Sequence, residues 1–210
     1  MQEHTEPRGP LRTSQELILA SRSPRRQALL ASLGLHFQVR PSPQPEPKPK
    51  PGQDPTVYCQ QMARLKAESA ADKQNRGLIL AADTIVVLEE EILGKPQDLF
   101  QALDMLCRLN GVQHRVITGC FLQDTISGAQ KDFAVTTWVG LGPVSEAVLQ
   151  GYVHTQQPLD KAGGYGIQEL GGALVSSIQG SYSNVVGLPM HEVLNALLEL
   201  DALHLEVDSQ

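Results

Sequence analysis

Cysteine is scarce in this 210-residue sequence: Cys59, Cys107 and Cys120 are an odd number, and no two of them stand in Cys-x-x-Cys spacing. That excludes a disulfide framework and a thiolate zinc site. The three read as small buried hydrophobes or free thiols in a reducing compartment, with the cytoplasm the expected location. No run of 18 or more apolar residues occurs, so no membrane span is expected. The opening stretch, Met1 to Gln15, is polar and lacks the apolar core of a signal peptide. Aromatic residues make up 4% of the chain, with Trp138 the single tryptophan, and offer no stacking platform for single-stranded nucleic acid. Positive charge is also short, 17 Lys and Arg against 23 Asp and Glu for a net charge of -6. A long duplex-binding surface needs a basic excess, so nucleic acid is excluded as a partner, although a small basic pocket is not. The six histidines show no His-Glu-x-x-His spacing, and neither a Gly-x-Ser-x-Gly elbow nor a Gly-x-x-x-x-Gly-Lys-Ser/Thr loop occurs.

What is present is enough apolar residue, 41%, to bury one sizeable core. The pattern predicts a disordered tail over 1–15, one domain over 16–203 in two closely packed lobes around a cleft, and a second tail over 204–210. Leu17 to Ala20 suits a buried strand, and Ser23-Pro24 caps a helix that Gly34 stops. His36 to Arg40 suits a second strand. Between Pro41 and Pro55 nearly every second residue is proline, which predicts an extended surface loop over 41–55. Thr56 to Lys73 reads as an amphipathic helix with Val57, Met62, Leu65 and Ala70 for burial. Leu78–Ala82 and Thr84–Leu88 read as two strands, and Asp98 caps a helix to Leu109. Arg115–Leu122 and Phe133–Val139 read as paired strands, Ala173–Ile178 as a further strand, and helices begin at Ser145 and Pro189. Strands and helices interleave without strict alternation, which predicts an α/β fold with a mixed, twisted sheet flanked by helices.

Four segments carry candidate chemistry. Ser21-Arg22-Ser23-Pro24-Arg25-Arg26 lies where a helix begins. There, free N–H groups and the helix dipole favour an anion, and two arginines oppose the dipole unless an anion compensates them. The bland reading is a capped helix with solvated arginines. Asp83, in Ala81-Ala82-Asp83-Thr84, is placed at the end of an apolar strand, where it can hold Mg²⁺ or accept a proton from an attacking water; an ordinary turn aspartate is the alternative. Gly94-Lys95-Pro96 holds Lys95 on a rigid turn, facing phosphate or simply solvent. The last segment, Asp160-Lys161-Ala162-Gly163-Gly164-Tyr165-Gly166-Ile167-Gln168, is followed by Gly171 and Gly172. Its glycines permit close backbone approach to a ligand, Asp160 is a candidate metal ligand, and Gln168 can both donate to and accept from a base edge.

In this order the four segments resemble those of the Maf family of nucleoside triphosphate pyrophosphatases, over about Leu17 to Leu200. Ser-x-Ser-Pro-Arg-Arg matches at Ser21–Arg26, Ala-Asp-Thr at Ala82–Thr84, Lys-Pro at Lys95-Pro96, and Asp-Lys-Ala-Gly-x-Tyr-Gly-Ile-Gln at Asp160–Gln168. The resemblance implies a fold related to that of the inosine triphosphate pyrophosphatases, a divalent metal cation (Mg²⁺ or Mn²⁺), a nucleoside triphosphate substrate and a homodimer. It implies Asp83 as proton acceptor, and Ser21, Arg26, Lys66, Lys95 and Lys161 on the substrate. Arg25, Thr84 and Gln168 stand at the positions that separate enzymes acting on dTTP and UTP from those acting on 7-methyl-GTP, and all three resemble the dTTP/UTP kind, with modified pyrimidine nucleotides as further substrates. Glu46, in the proline run, is the nearest match to the family's early glutamate, which makes Glu46, Asp83 and Asp160 the implied metal ligands. Glu169 replaces the glycine common after the final glutamine. Two other functions stay open on the sequence: a non-catalytic nucleotide-binding regulator of cell division, and a scaffold recruited through the proline run. Nearby carboxylates favour the enzyme, because binding an anion gains nothing from them.

Overall fold

The computed structural model describes residues 9–71 and 76–206. In chain order its regular elements begin with β1 (Leu11–Thr13), β2 (Leu17–Leu19), α1 (Pro24–Ala31), β3 (Gln38–Val39), α2 (Pro55–Ala70), β4 (Leu78–Leu88), β5 (Glu91–Leu93) and α3 (Leu99–Leu109). Next come β6 (Gln113–Asp124), β7 (Gln130–Leu141), α4 (Glu146–His154), β8 (Val175–Gln179), α5 (Tyr182–Val186), α6 (Met190–Glu199) and β9 (Leu203–Leu205). Three short 3₁₀ turns fill the glycine-rich stretch between α4 and β8.

β4 organises the molecule. Its aliphatic and β-branched residues are buried on both faces, as an interior strand requires. Side chains alternate across it. Leu78, Leu80 and Ala82 join Leu17 and Leu19 of β2, Leu30 of α1, and Val193 and Leu197 of α6. Ile79 and Ala81 face Ala63, Ala67 and Ala70 of α2. Further along, Ile85 and Val87 continue the α2 face against Tyr58 and Met62, while Val86 turns to a separate cluster with Leu106 of α3 and Leu149 of α4. One face of β4 therefore meets two groups of helices, α1 with α6 and then α3 with α4.

The main sheet runs β3-β2-β4-β6-β7-β8, with β5 also on β4. β2 is parallel to β3 and β4, whereas β4, β6, β7 and β8 are antiparallel, so the sheet is mixed as expected. Helix α2 crosses it closely because Gly119 of β6 has no side chain: a Cβ there would lie 2.6 Å from the Cys59 carbonyl carbon.

Several boundaries differ from the sequence reading. The two strands proposed either side of Asp83 are one, because β6 pairs continuously from Leu78 to Val87. Helix α2 ends at Ala70, and residues 72 and 73 of the proposed helix lie outside the described residues. Val57 is exposed, since it starts the helix on its outer side. Leu11–Thr13 and Leu203–Leu205, assigned wholly or in part to tails, pair antiparallel as β1 and β9; residues 1–8 and 207–210 lie outside the described residues. The proline run carries no helix or strand from 41 to 54, and Pro55, the last residue of the proposed loop, opens α2.

Candidate active site

β2 pairs with β4 only over Leu78–Leu80, and β5 pairs with the same strand over Val86–Leu88. Among the described residues no strand covers that edge of Ala81–Ile85. A pocket of about 970 Å³ opens at this gap, lined by the start of α1, the proline run, the Gly94-Lys95 loop and the glycine-rich stretch. Its size suits a nucleotide-sized ligand. Because both faces of β4 reach the gap, Asp83 and Thr84, on opposite faces by alternation, line the same pocket.

Asp83 is 7% exposed and points to α2. Lys66 Nζ donates to Asp83 Oδ1 at 2.5 Å and lies 2.9 Å from Glu46 Oε1. One ammonium is thus shared by two carboxylates, one from the sheet and one from the proline run. Burial works against ionisation of Glu46, but Lys66, and more weakly Lys95 and Arg26, outweigh it and hold the carboxyl below its ordinary value. Cys59, two helical turns before Lys66 on the same face, donates from Sγ to the Asp83 carbonyl oxygen at 3.1 Å and lies 3.9 Å from Asp83 Oδ2. Tyr58 donates to Pro47 O at 3.1 Å, pinning the proline run over the site. Its phenol is pushed up to about 12, by burial first and then by Asp83 and Glu46, so it remains a donor.

On the opposite face Arg26 bridges three elements. Its Nε donates to Gly187 O at 2.7 Å, its Nη2 to Thr84 Oγ1 at 2.8 Å, and its Nη1 to Ser21 Oγ at 3.4 Å. Thr84 Oγ1 is 3.0 Å from Thr118 Oγ1, which donates to Asn184 O. Ser23 caps α1, its Oγ accepting from Arg26 N at 3.4 Å, so the arginines do stand at a helix start.

The far wall is the glycine-rich stretch. Gly163, at φ +67°, donates to Gly94 O at 3.0 Å, and a Cβ there would sit 3.0 Å from Val86. The Lys95 turn is thereby docked on this wall. Tyr165, which lines the pocket, bonds through its hydroxyl to Nε2 of the fully buried His114 at 2.6 Å. At the rim Asp160 binds Arg25 Nη1 at 3.1 Å and Lys161 Nζ at 2.6 Å. Burial opposes its ionisation, but Lys161 and Arg25 prevail and lower its pKa.

Every site residue named from the sequence, Ser21, Arg25, Arg26, Glu46, Lys66, Asp83, Thr84, Lys95, Asp160, Lys161 and Gln168, lines this pocket. Two details differ. Asp83 is mid-strand rather than at a strand end, because the gap lies in the neighbouring strands and not in β4. The three implied metal ligands do not form one group: among the described residues no three His, Cys, Asp or Glu side chains are gathered to hold an ion. Glu46 and Asp83 meet at Lys66, while both oxygens of Asp160 are taken by Arg25 and Lys161. Sequence reading passed over Cys59, Tyr58, Thr118 and Gly187. For Cys59 a signal existed, since positions 59 and 66 share a helix face; nothing local marks Gly187.

The fold and pocket define a class: an α/β protein with a pocket at an interrupted strand edge where lysines and arginines are paired with carboxylates. The chain belongs to the Maf family, the model for Maf-like protein matching residues 16–200. A dTTP/UTP pyrophosphatase of Nitratidesulfovibrio vulgaris is 42% identical over 199 residues, covering 95% of this chain and 94% of that protein. One from Anaeromyxobacter dehalogenans is 46% identical over 178 residues, 84% of this chain and 89% of its own. A third, from Thermosipho africanus, is 43% identical over 185 residues, with 87% and 92% covered.

Proposed function

We propose that this protein hydrolyses dTTP and UTP, and modified pyrimidine nucleotides of the same shape, to the monophosphate and pyrophosphate. The observation that carries the reading is the pairing of Asp83 and Glu46 across Lys66 inside a pocket that also holds Arg25, Arg26, Lys95 and Lys161. A site that only bound anions would gain nothing from two carboxylates. In this reading the cations take the charge of the triphosphate, Asp83 accepts the proton of a water aimed at the α-phosphorus, and the bond to the β-phosphate breaks with pyrophosphate leaving. Gln168, exposed on the pocket rim, addresses the pyrimidine edge.

A divalent cation is part of the proposal. Glu46 and Asp83 offer hard oxygen donors, and Mg²⁺ is commonly held by one or two carboxylates together with substrate phosphates. When bound it would neutralise phosphate charge and polarise the water. Asp160 is not assigned to it. Thiols left unpaired at Cys59, Cys107 and Cys120 support a reducing, cytoplasmic location. Among the described residues no helix is long and apolar enough to cross a membrane. A homodimer is proposed on the resemblance alone.

The test is pyrophosphate release from purified protein over a panel of dTTP, UTP, CTP, ATP, GTP and 7-methyl-GTP, with Mg²⁺, Mn²⁺ or EDTA. Turnover confined to dTTP, UTP and close pyrimidine analogues, and lost with EDTA, is the expected result. Tight nucleotide binding without release would instead favour the regulator.

A further inference from the structure

At the pocket rim two cations and two carboxylates alternate in a closed ring. Arg25 Nη1 is 3.1 Å from Asp160 and 3.8 Å from Glu169; Lys161 Nζ is 2.6 Å from Asp160 and 3.2 Å from Glu169. The ring joins the first turn of α1 to the glycine-rich wall. Arg25, Lys161 and Asp160 line the pocket, whereas Glu169, exposed, is outside its lining. Its two bonds are the longer pair in the ring. Neither cation depends on it: Arg25 keeps Asp160, and Lys161, only 5% exposed, keeps both Asp160 and the Gln157 carbonyl at 2.6 Å. Asp160 alone would leave one of the two positive charges uncompensated, and Glu169 balances it, set against the cations a polyphosphate needs.

We propose that Glu169 is a built-in counter-ion that competes with the polyphosphate for Arg25 and Lys161, lowering ground-state affinity and easing departure of pyrophosphate. This rests on the proposed reading of the pocket as a triphosphate site. An incoming phosphate takes the exposed side of Arg25 and replaces Glu169 on Lys161, whose Nζ keeps Asp160 and the Gln157 carbonyl, and the Glu169 contacts re-form as pyrophosphate leaves. Glu169 acts through the two cations and does not touch the substrate.

The experiment compares wild type with Glu169→Gln, which keeps the shape and removes the charge, and with Glu169→Ala should the first variant fold poorly. Affinity is read by calorimetry with inorganic tripolyphosphate and with pyrophosphate at low and at high salt, together with KM and kcat for dTTP. The expected result is about two- to tenfold tighter binding of both ligands by Glu169→Gln at low salt, from the size of partly exposed ion pairs. High salt should shrink the difference, and KM should fall by a similar factor with a lower or equal kcat. Unchanged or weaker polyphosphate binding in a folded variant overturns the proposal, as does a gain that survives high salt. Because the calorimetry needs no turnover, a wild type that binds polyphosphate but leaves dTTP intact defeats the enzyme reading without touching the counter-ion role.

Discussion

Lys66 Nζ holds Asp83 Oδ1 at 2.5 Å, whereas Asp83 Oδ2 has the weaker Cys59 thiol 3.9 Å away and is the oxygen left for a water. In the proposed reaction Asp83 is thus fixed by one oxygen and would take the proton on the other. Asp83→Asn keeps the size of the side chain but removes its ability to take a proton, and Lys66 still has Glu46 as a partner. Pyrophosphate release by that variant is expected to fall at least about a hundredfold, the usual span for losing a general base, with circular dichroism unchanged. Turnover within tenfold of wild type would remove Asp83 from the chemistry. Arg26 tests the other face. Its Nε and Nη2 bonds to Gly187 O and Thr84 Oγ1 need a planar fork, which lysine lacks. Arg26→Lys should raise KM for dTTP and lower Tm together, since the same guanidinium ties α1 to β4. A Tm equal to wild type would show that those bonds do not hold the two elements.

At the scale of elements, the site depends on α2 lying hard against β6, which brings Cys59 and Lys66 to Asp83. Gly119→Ala would place a Cβ 2.6–2.7 Å from backbone atoms of Cys59 and Gln60, and the helix must shift. The expected cost is about 1–3 kcal/mol in urea unfolding, with kcat reduced as well because Lys66 moves with the helix. Gly151→Ala is the contrast: it sits in α4 with open space around it, and replacing a helical glycine should be neutral or stabilising by up to about 1 kcal/mol. If both variants behave alike, close approach of α2 is not what sets the site. The elements also show how far the sequence could be read. The capped helix α3 after Asp98 and the largely buried strand β6 were legible because burial and capping leave a local record. The continuity of β4 through Asp83 was not, since aspartate is poor in strands and only the pairing with Gly119 and its neighbours on β6 overrides that preference. Leu11–Thr13 and Leu203–Leu205 are too short to show a period, and each exists as a strand because the other does. In the same way the pairing of Asp160 with Arg25, 135 residues away in sequence, leaves no local record.

Across the whole molecule, acid should weaken the fold in two separable windows. His114 is fully buried, with Nε2 on the Tyr165 hydroxyl and Nδ1 without a hydrogen-bond partner among the described residues, and burial lowers its pKa from 6.5 to about 4. Between those values the unfolded chain binds a proton that the folded chain refuses, so stability falls as pH drops from about 6.5 towards 4. The shift corresponds to a loss on the order of 3 kcal/mol. Glu46, Asp124 and Asp160 have lowered pKa values, so their contribution is present above the ordinary carboxylate range and disappears only below it. The two windows are distinct, and the upper one belongs to the histidine. Its loss matters for the site because His114 anchors Tyr165 and hence the wall that carries Lys161 and Gln168. Urea midpoints measured at half-unit steps from pH 7 to 4 should decline in wild type, while His114→Gln, which can still reach the tyrosine hydroxyl but does not titrate, should start lower and stay nearly level down to about pH 4.5. An equally steep decline in the variant would assign the upper window to some other group and leave His114 with packing alone.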